Sequence, residues 1–486
     1  MRAFRWSASF LAILLASAPA LAEPATQEGA KALGQSFAAY FGRTAVDQGI
    51  IAVTPQGEDY KVTVDPQRVI DGLGLPADSV KLGTLSFLTA PQPDGTWKVG
   101  MDGFPSVDVH VATPEGEVGG SLALNGYRFE GVYDPKLAAF LTAKGTIDLI
   151  DVKWMTQGTE VSLQEAGYLL EIQSTDAGGG AVSAKTHNLV KSLVETVKVT
   201  PPAKPGTPQA APISIVYTLG AMTGDGSMEG MRSRAALDLW AFLVGLEGIE
   251  HVVEHQDELK TQLLAILPLW SDAKATVSLD GVSAQFPFGS IGLKSLGERL
   301  AFSGLTSQGA FELGLKLDGL TLPAPLTPAW SRPLIPTLLD VGFKVTLEGL
   351  DEIARTLIED LDLKADPPLS EESQTKLEDM LASGSPKLVI APSRLTSPSF
   401  DISVEGEMAL RVPKPSGRIT IEADGLDKSL AIVQAAAQSD PKLQQVLMGL
   451  TMVKSLAKPG PDGKPSWVLE YSADGVFTVN GQKMGK

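Results

Sequence analysis

Alternation of apolar and polar residues with a period of two recurs along this chain, at residues 60 to 64, 82 to 88, 107 to 111 and 147 to 152. Only an extended strand places every second side chain on one face, so the alternation commits much of the chain to half-buried β-sheet. The turn dipeptides Asp94-Gly95 and Asn125-Gly126 stand between these segments. A short amphipathic helix is expected at residues 35 to 42, and a second around residues 189 to 197 closing the N-terminal half.

The second half carries a short pattern of its own: apolar, any, apolar, Asp or Glu, Gly. It occurs at residues 277 to 281, 315 to 319, 345 to 349, 402 to 406 and 421 to 425, where composition alone would give about one match. Each copy reads as the end of a strand, with an acid at the edge and a glycine that lets the backbone turn. Two copies, ending Glu348-Gly349-Leu350-Asp351 and Ala423-Asp424-Gly425-Leu426-Asp427, run on into helical patterns. Asp351 and Asp427 are expected as the N-caps there. The irregular spacing of the copies argues against a solenoid of fixed period.

Residues 235 to 246 are nearly all apolar and predict a helix, read either as buried in the core of the second domain or as one wall of a groove for acyl chains. Leu259, Leu263, Leu264 and Leu267 mark one face of the next helix. Behind Asp440-Pro441, the residues Leu443, Val446, Leu447, Leu450 and Val453 predict another, with the aspartate as cap. Near the C-terminus, a loop at Ala473-Asp474-Gly475 pairs Tyr471 with Phe477 and Leu469 with Val479, which keeps one apolar face continuous. The expected fold class is α+β: mostly antiparallel β-sheet with amphipathic helices packed on it, and strand-turn-helix repeats in the second half.

The densest proline cluster, at residues 201 to 212, predicts an extended linker, because proline fixes its own backbone angle and removes a donor. The expected partition is a signal peptide at 1–22, a β-rich domain at 23–200, the linker at 201–212 and an α+β domain at 213–486. A second proline-rich stretch, residues 323 to 336, also holds Trp330, Leu334 and Ile335 and reads as a long loop lying on its domain.

Arg2 and Arg5, an apolar run at residues 11 to 16 and Ala20-Leu21-Ala22 form the three parts of a secretory signal, with cleavage expected after Ala22. Ser17 and Pro19 interrupt the run well short of the roughly 20 residues a membrane helix needs, so no stable membrane anchor is expected. The chain has no cysteine, which removes lipoprotein acylation, disulfides and thiol chemistry together. Losing Arg2 and Arg5 would take the formal charge from −17 to −19. That sign argues against nucleic acid and anionic surfaces as partners of the chain as a whole. Export and the absence of cysteine point to a protein free in the compartment it is exported to.

The segment His251-Val252-Val253-Glu254-His255 is the sharpest candidate for chemistry. Histidines four apart on a helix share a face and could hold zinc while Glu254 polarises water, and the order resembles the inverted zinc-peptidase signature. The residues that follow are Gln256-Asp257-Glu258, and Ser331 and Arg332 stand where a third ligand is expected, with Glu312 and Glu348 the nearest acids. A zinc-dependent hydrolase using His251, Glu254 and His255 is therefore the alternative reading. His110 and His187 stand alone in sequence, and two Ser-x-x-Lys matches, at Ser271 and Ser455, lack their companion motifs. Gly178-Gly179-Gly180 reads as a turn. No cofactor is expected. The helices after residue 212 and the closing Met484-Gly485-Lys486 argue against a transmembrane barrel.

The closing segments Trp467-Val468-Leu469-Glu470-Tyr471 and Asp474-Gly475-Val476-Phe477-Thr478-Val479-Asn480-Gly481, with the strand-turn repeats before them, resemble uncharacterised proteobacterial envelope proteins, some distantly similar to AsmA-like lipid-handling proteins. The resemblance covers about the last eighty residues. It implies a Gram-negative periplasm and envelope maintenance, and transfers no catalytic residue. The expected function is non-enzymatic, the binding of a lipid or amphiphile or of an envelope protein partner, with a purely structural partner-binding module as a further alternative.

Overall fold

The computed structural model describes residues 25–74, 76, 79–113, 116–201, 210–246, 248–410 and 415–484. The expected signal peptide at 1–22 and most of the 201–212 segment lie outside them. The chain divides into two compact units, one of residues up to Ala273 with Ile358–Leu369, the other of Lys274–Leu357 with Ser370–Lys486.

In the first unit two long strands, Ala139–Thr156 and Thr159–Gly178, form an antiparallel pair that carries two sheets end to end. Residues 139 to 146 pair with Arg128–Asp134, whereas residues 149 to 155 pair with Gly116–Asn125. Asn125–Leu149 and Arg128–Thr146 share one register and direction, so the chain runs straight on through Asn125-Gly126, where the sequence predicts a turn between strands. The meander Ile51–Gln56, Asp59–Val64, Leu85–Pro91, Trp97–Asp102 completes one end through Arg128–Asp134. Over it lies the helix Gln27–Phe41, which begins eight residues before the pattern starting at 35, behind Thr26, whose hydroxyl accepts the Gly29 N–H. Leu33, Phe37 and Tyr40 of that helix join Val62, Trp97, Val99, Phe129, Tyr133 and Ile147 in the main buried core. Gly29 permits the close approach, since a Cβ there would fall 2.0 Å from the Tyr60 hydroxyl oxygen.

Three further expectations for this unit change. Residues 189 to 197 are not a helix; they are parts of the strands Ala181–Val190 and Ser192–Val199. Val190, Val194, Thr196 and Val197 are β-branched and crowd a helical turn, whereas Thr159–Gly178 offers both strands a partner. Residues 82 to 88 are split between the strands Val80–Leu82 and Leu85–Pro91. The strands on either side of the proline-rich segment, Ser192–Val199 and Ile213–Leu219, pair with each other from Leu193–Leu219 to Val199–Ile213. The prolines therefore join neighbouring strands of one unit, and the division falls at Ala273.

In the second unit an antiparallel series runs through Gly289–Phe302, Gln308–Asp318, Leu338–Glu348, Lys387–Thr396, Asp401–Ala409, Ser416–Asp424 and Pro465–Tyr471. Gly319, Gly349 and Gly425 follow strand ends with φ of 66°, 75° and 77°, as the repeated pattern requires. At the other two copies the strands continue past the glycine: Gly281 keeps φ 63° inside Asp272–Phe286, and Asp401–Ala409 runs straight through Gly406. The helices Leu350–Asp360 and Leu426–Ala437 follow the two extended copies, and Asp351 and Asp427 sit inside their first turns, with Gly425 as the second helix's N-cap. An acid there still favours the positive end of the helix dipole. Residues 323 to 336 form two 3₁₀ turns, Ala324–Leu326 and Ala329–Leu334, and Ser399 donates its hydroxyl to the Pro333 carbonyl at 2.8 Å.

The C-terminal hairpin pairs Tyr471 with Phe477 and Leu469 with Val479. Asn480 ties it down: its Oδ1 accepts the Val468 N–H at 2.9 Å while its Nδ2 donates to the carbonyls of Leu456 and Ser466 at 2.8 and 3.0 Å. A small core of Ala423, Trp467 and Val479 lies beside it.

Candidate functional site

Register decides which side chains share a face, and in the second unit it separates them almost completely. Reading across the paired strands, one face carries Leu296, Leu300 and Phe302, then Phe311, Leu313, Leu315 and Leu317, then Leu339, Val341, Phe343 and Val345. It continues through Leu388, Ile390 and Leu395 to Ile402, Val404 and Met408 and on to Ile419 and Ile421. Glu298 is its single charged side chain. The opposite face carries Arg299, Glu312, Lys316, Asp340, Lys344, Arg394, Asp401, Glu407 and Arg418, with cross-strand ion pairs between Arg299 and Asp340, Arg394 and Asp401, and Arg418 and Glu470. Arg394 holds the Asp401 carboxyl below the usual carboxylate range.

Only its far edge, Ile402 and Ile421, packs on a closed core, that of Ala423, Trp467 and Val479. Among the described residues no hydrophobic side chain from Lys274 to Met408 is fully buried, and Leu300 and Phe343 remain 39 % and 37 % exposed. At about 4.8 Å per strand and 3.4 Å per residue, the face has a footprint on the order of 1,000 Å², of which its partly buried side chains leave a fraction open to solvent. Each half-exposed leucine or phenylalanine forfeits about 1 kcal/mol of transfer free energy that a covering apolar partner would recover.

The first unit has a smaller face of the same kind. Val109 and Val111, Val118, Trp154, Val161 and Leu163, Val197 and Val199, and Ile213, Ile215 and Tyr217 share one side. Trp154, Val199, Ile213 and Tyr217 are exposed. Two carboxylates interrupt it: Glu165, opposite Ile150 and Leu193, and Glu195, opposite Leu163 and Tyr217. Burial pushes the Glu165 carboxyl above its ordinary value.

The helix predicted over residues 235 to 246 forms as Ser233–Gly245, and it belongs to the first unit. Leu237 and Ala241 pack on the main core and the Trp240 indole donates to the Tyr40 carbonyl at 2.9 Å, while none of its residues is fully buried. It is a lid on the edge of that core. Sequence reading placed the candidate groove beside this helix, whereas the uncovered apolar surface lies on strands.

The zinc candidates lie on the helix Ile249–Glu254, which ends at His255, φ −103° and ψ 25°, before a new helix starts at Gln256. The His255 N–H still donates to the His251 carbonyl at 3.1 Å, so the two histidines stand one helical turn apart at the break. Each has its own acid: His251 Nδ1 lies 3.4 Å from Glu254 and His255 Nδ1 lies 3.3 Å from Glu258, all exposed. Glu312 and Glu348 belong to strands of the other unit. Among the described residues no group of three His, Asp or Glu side chains is placed to hold a metal. His187 faces Asp225 across paired strands at 2.8 Å, on the surface. The Ser271 and Ser455 hydroxyls donate to the backbone carbonyls of Glu229 and Met452.

No described helix is long and apolar enough to cross a membrane. Compared with known proteins, the chain matches no family model, no curated protein and no solved structure.

Proposed function

We infer that the chain is an exported, non-enzymatic carrier that binds the acyl portion of a lipid or similar amphiphile along the apolar strand faces, within the periplasm of a Gram-negative cell. The carrying observation is the apolar face from Leu296 to Ile390, none of whose hydrophobic side chains is fully buried and on which Leu300, Val341 and Phe343 are exposed. A protein partner would require about one hydrogen bond per 100–200 Å² of contact, and Glu298 is the only charged group these side chains offer. Acyl chains require only apolar area, and the roughly 15 Å depth of one bilayer leaflet fits within the length of an eleven-residue strand. The signal-like residues 1 to 22 and the resemblance of the last segments to envelope proteins support the compartment.

Native mass spectrometry with organic extraction of protein purified from its own compartment tests this reading. Bound acyl lipid is expected in the wild type and lost in Phe343→Glu with the fold intact. Wild-type protein free of lipid, and unable to take up a fluorescent fatty acid, would defeat it. Stoichiometric zinc, lost in His255→Ala, would favour the hydrolase alternative instead.

A further inference from the structure

The helix Lys442–Ser455 has two apolar sides. Leu443, Leu447 and Leu450 form the half-buried side, and the helix packs against Leu426–Ala437. Away from that contact, Val446, Gly449 and Val453 follow at i, i+3 and i+7, with Met448 and Met452 one turn apart beside them. These side chains are 49 %, 51 %, 65 % and 62 % exposed for Val446, Val453, Met448 and Met452, and a Cβ at Gly449 would meet nothing within 4 Å.

Charge distinguishes this helix from all the rest. Every other described α-helix contains an Asp or Glu, in a chain of formal charge −17. Lys442–Ser455 contains none, and carries Lys442 in its first turn and Lys454, which pairs with Asp427, in its last. Lys458 follows it, its ammonium donating to the Asn480 carbonyl. The acids nearest its ends lie outside it, Asp440 accepting the Lys442 N–H and Asp427 pairing with Lys454, so lysine and aspartate roughly balance there in a chain that is acidic as a whole. An acid-free helix with an exposed apolar stripe and such balanced ends fits the interface of a bilayer, where the stripe enters the acyl boundary and the Lys442 side chain reaches phosphate.

We propose that the outer face of Lys442–Ser455, centred on Met448 and Met452, is the surface by which this protein docks on a lipid bilayer. The helix rests on the small C-terminal core, with the Trp467 indole donating to the Val453 carbonyl at 2.8 Å, so it docks as a fixed part of the fold. Docking and the carriage of acyl chains are separable: the first is read on vesicles, the second by extraction.

The test is flotation of the full chain with phosphatidylcholine vesicles, with and without phosphatidylglycerol. Wild-type protein is expected to float with both, more strongly with the anionic lipid. Met448→Glu with Met452→Glu is expected to lose binding roughly tenfold or more at an unchanged melting temperature, both residues being exposed. Because the chain lacks cysteine, Met448→Cys carries a single environment-sensitive dye, expected to shift to the blue on vesicles. A wild type that binds neither vesicle, or a double variant that binds as well, overturns the proposal. So does lipid-free self-association abolished by the same double variant, which would assign the face to a second copy of the chain.

Discussion

The strand Ala139–Thr156 meets two different fates along its length. Ile150 is buried in the main core that includes side chains of Gln27–Phe41, whereas Trp154, on the same face, is exposed. Alternation is equally good at both ends. What differs is the presence of a covering element, and the helices Gln27–Phe41 and Ser233–Gly245 supply one at only one end. In the second unit the strands between Gly289 and Ala409 resemble the uncovered end throughout. Alternation therefore specifies a sheet with one apolar side, and a separate, distant part of the sequence specifies whether protein covers that side.

Substitutions at the two kinds of face sharpen the contrast. Phe37→Ala empties part of the closed core and is expected to cost about 3–5 kcal/mol in denaturant unfolding. Phe343→Ala, on the open face, is expected to cost less than about 1 kcal/mol in lipid-free protein. Equal costs would mean that the second face is a packed core after all. Asn480→Gly keeps the backbone free to adopt φ 51° but strands the Val468 N–H and two carbonyls, so about 2 kcal/mol should be lost, read as earlier melting of the C-terminal hairpin by hydrogen exchange.

The smallest effect is expected at Glu165, between the closed and open ends. Burial raises its folded-state pKa, so the folded chain is favoured while the carboxyl is protonated. That advantage is complete below the unfolded glutamate value of about 4.3 and is lost as pH rises through the folded value. Glu165→Gln should accordingly stabilise the protein near neutrality and change little near about pH 3. A bound amphiphile, by further desolvating the site, should enlarge the neutral-pH gain.

The sheet was legible because period two is a local property, as were the hairpin at Tyr471–Phe477 and the turn glycines Gly349 and Gly425. The helix expected at 189 to 197 failed because Leu189, Leu193 and Val197 satisfy a helical spacing, while Leu193, Glu195 and Val197 equally satisfy a strand. Only the partner Thr159–Gly178 decides between the two. Prolines at 201 to 212 suggested a linker between domains, but the strands that flank them pair with each other, and proline content alone does not tell a connection between paired strands from one between domains. The apolar face from Leu296 to Ile421 was present as alternation, yet nothing local distinguishes a covered strand from an uncovered one. The helix junction at His255 follows no glycine or proline and left no signal, and the acids beside the two histidines, Glu254 and Glu258, were visible only as part of a polar stretch.

Crosslinking with a photoactivatable fatty acid tests the account most directly, with attachment sites mapped by peptide mass spectrometry. Label is expected on Leu300, Leu313, Val341, Phe343 and Ile390 and their neighbours on the same side, sparing Glu312, Lys344 and Arg394 on the other. Label confined to the polar side, or absent from the strands between Gly289 and Ala409, would contradict it.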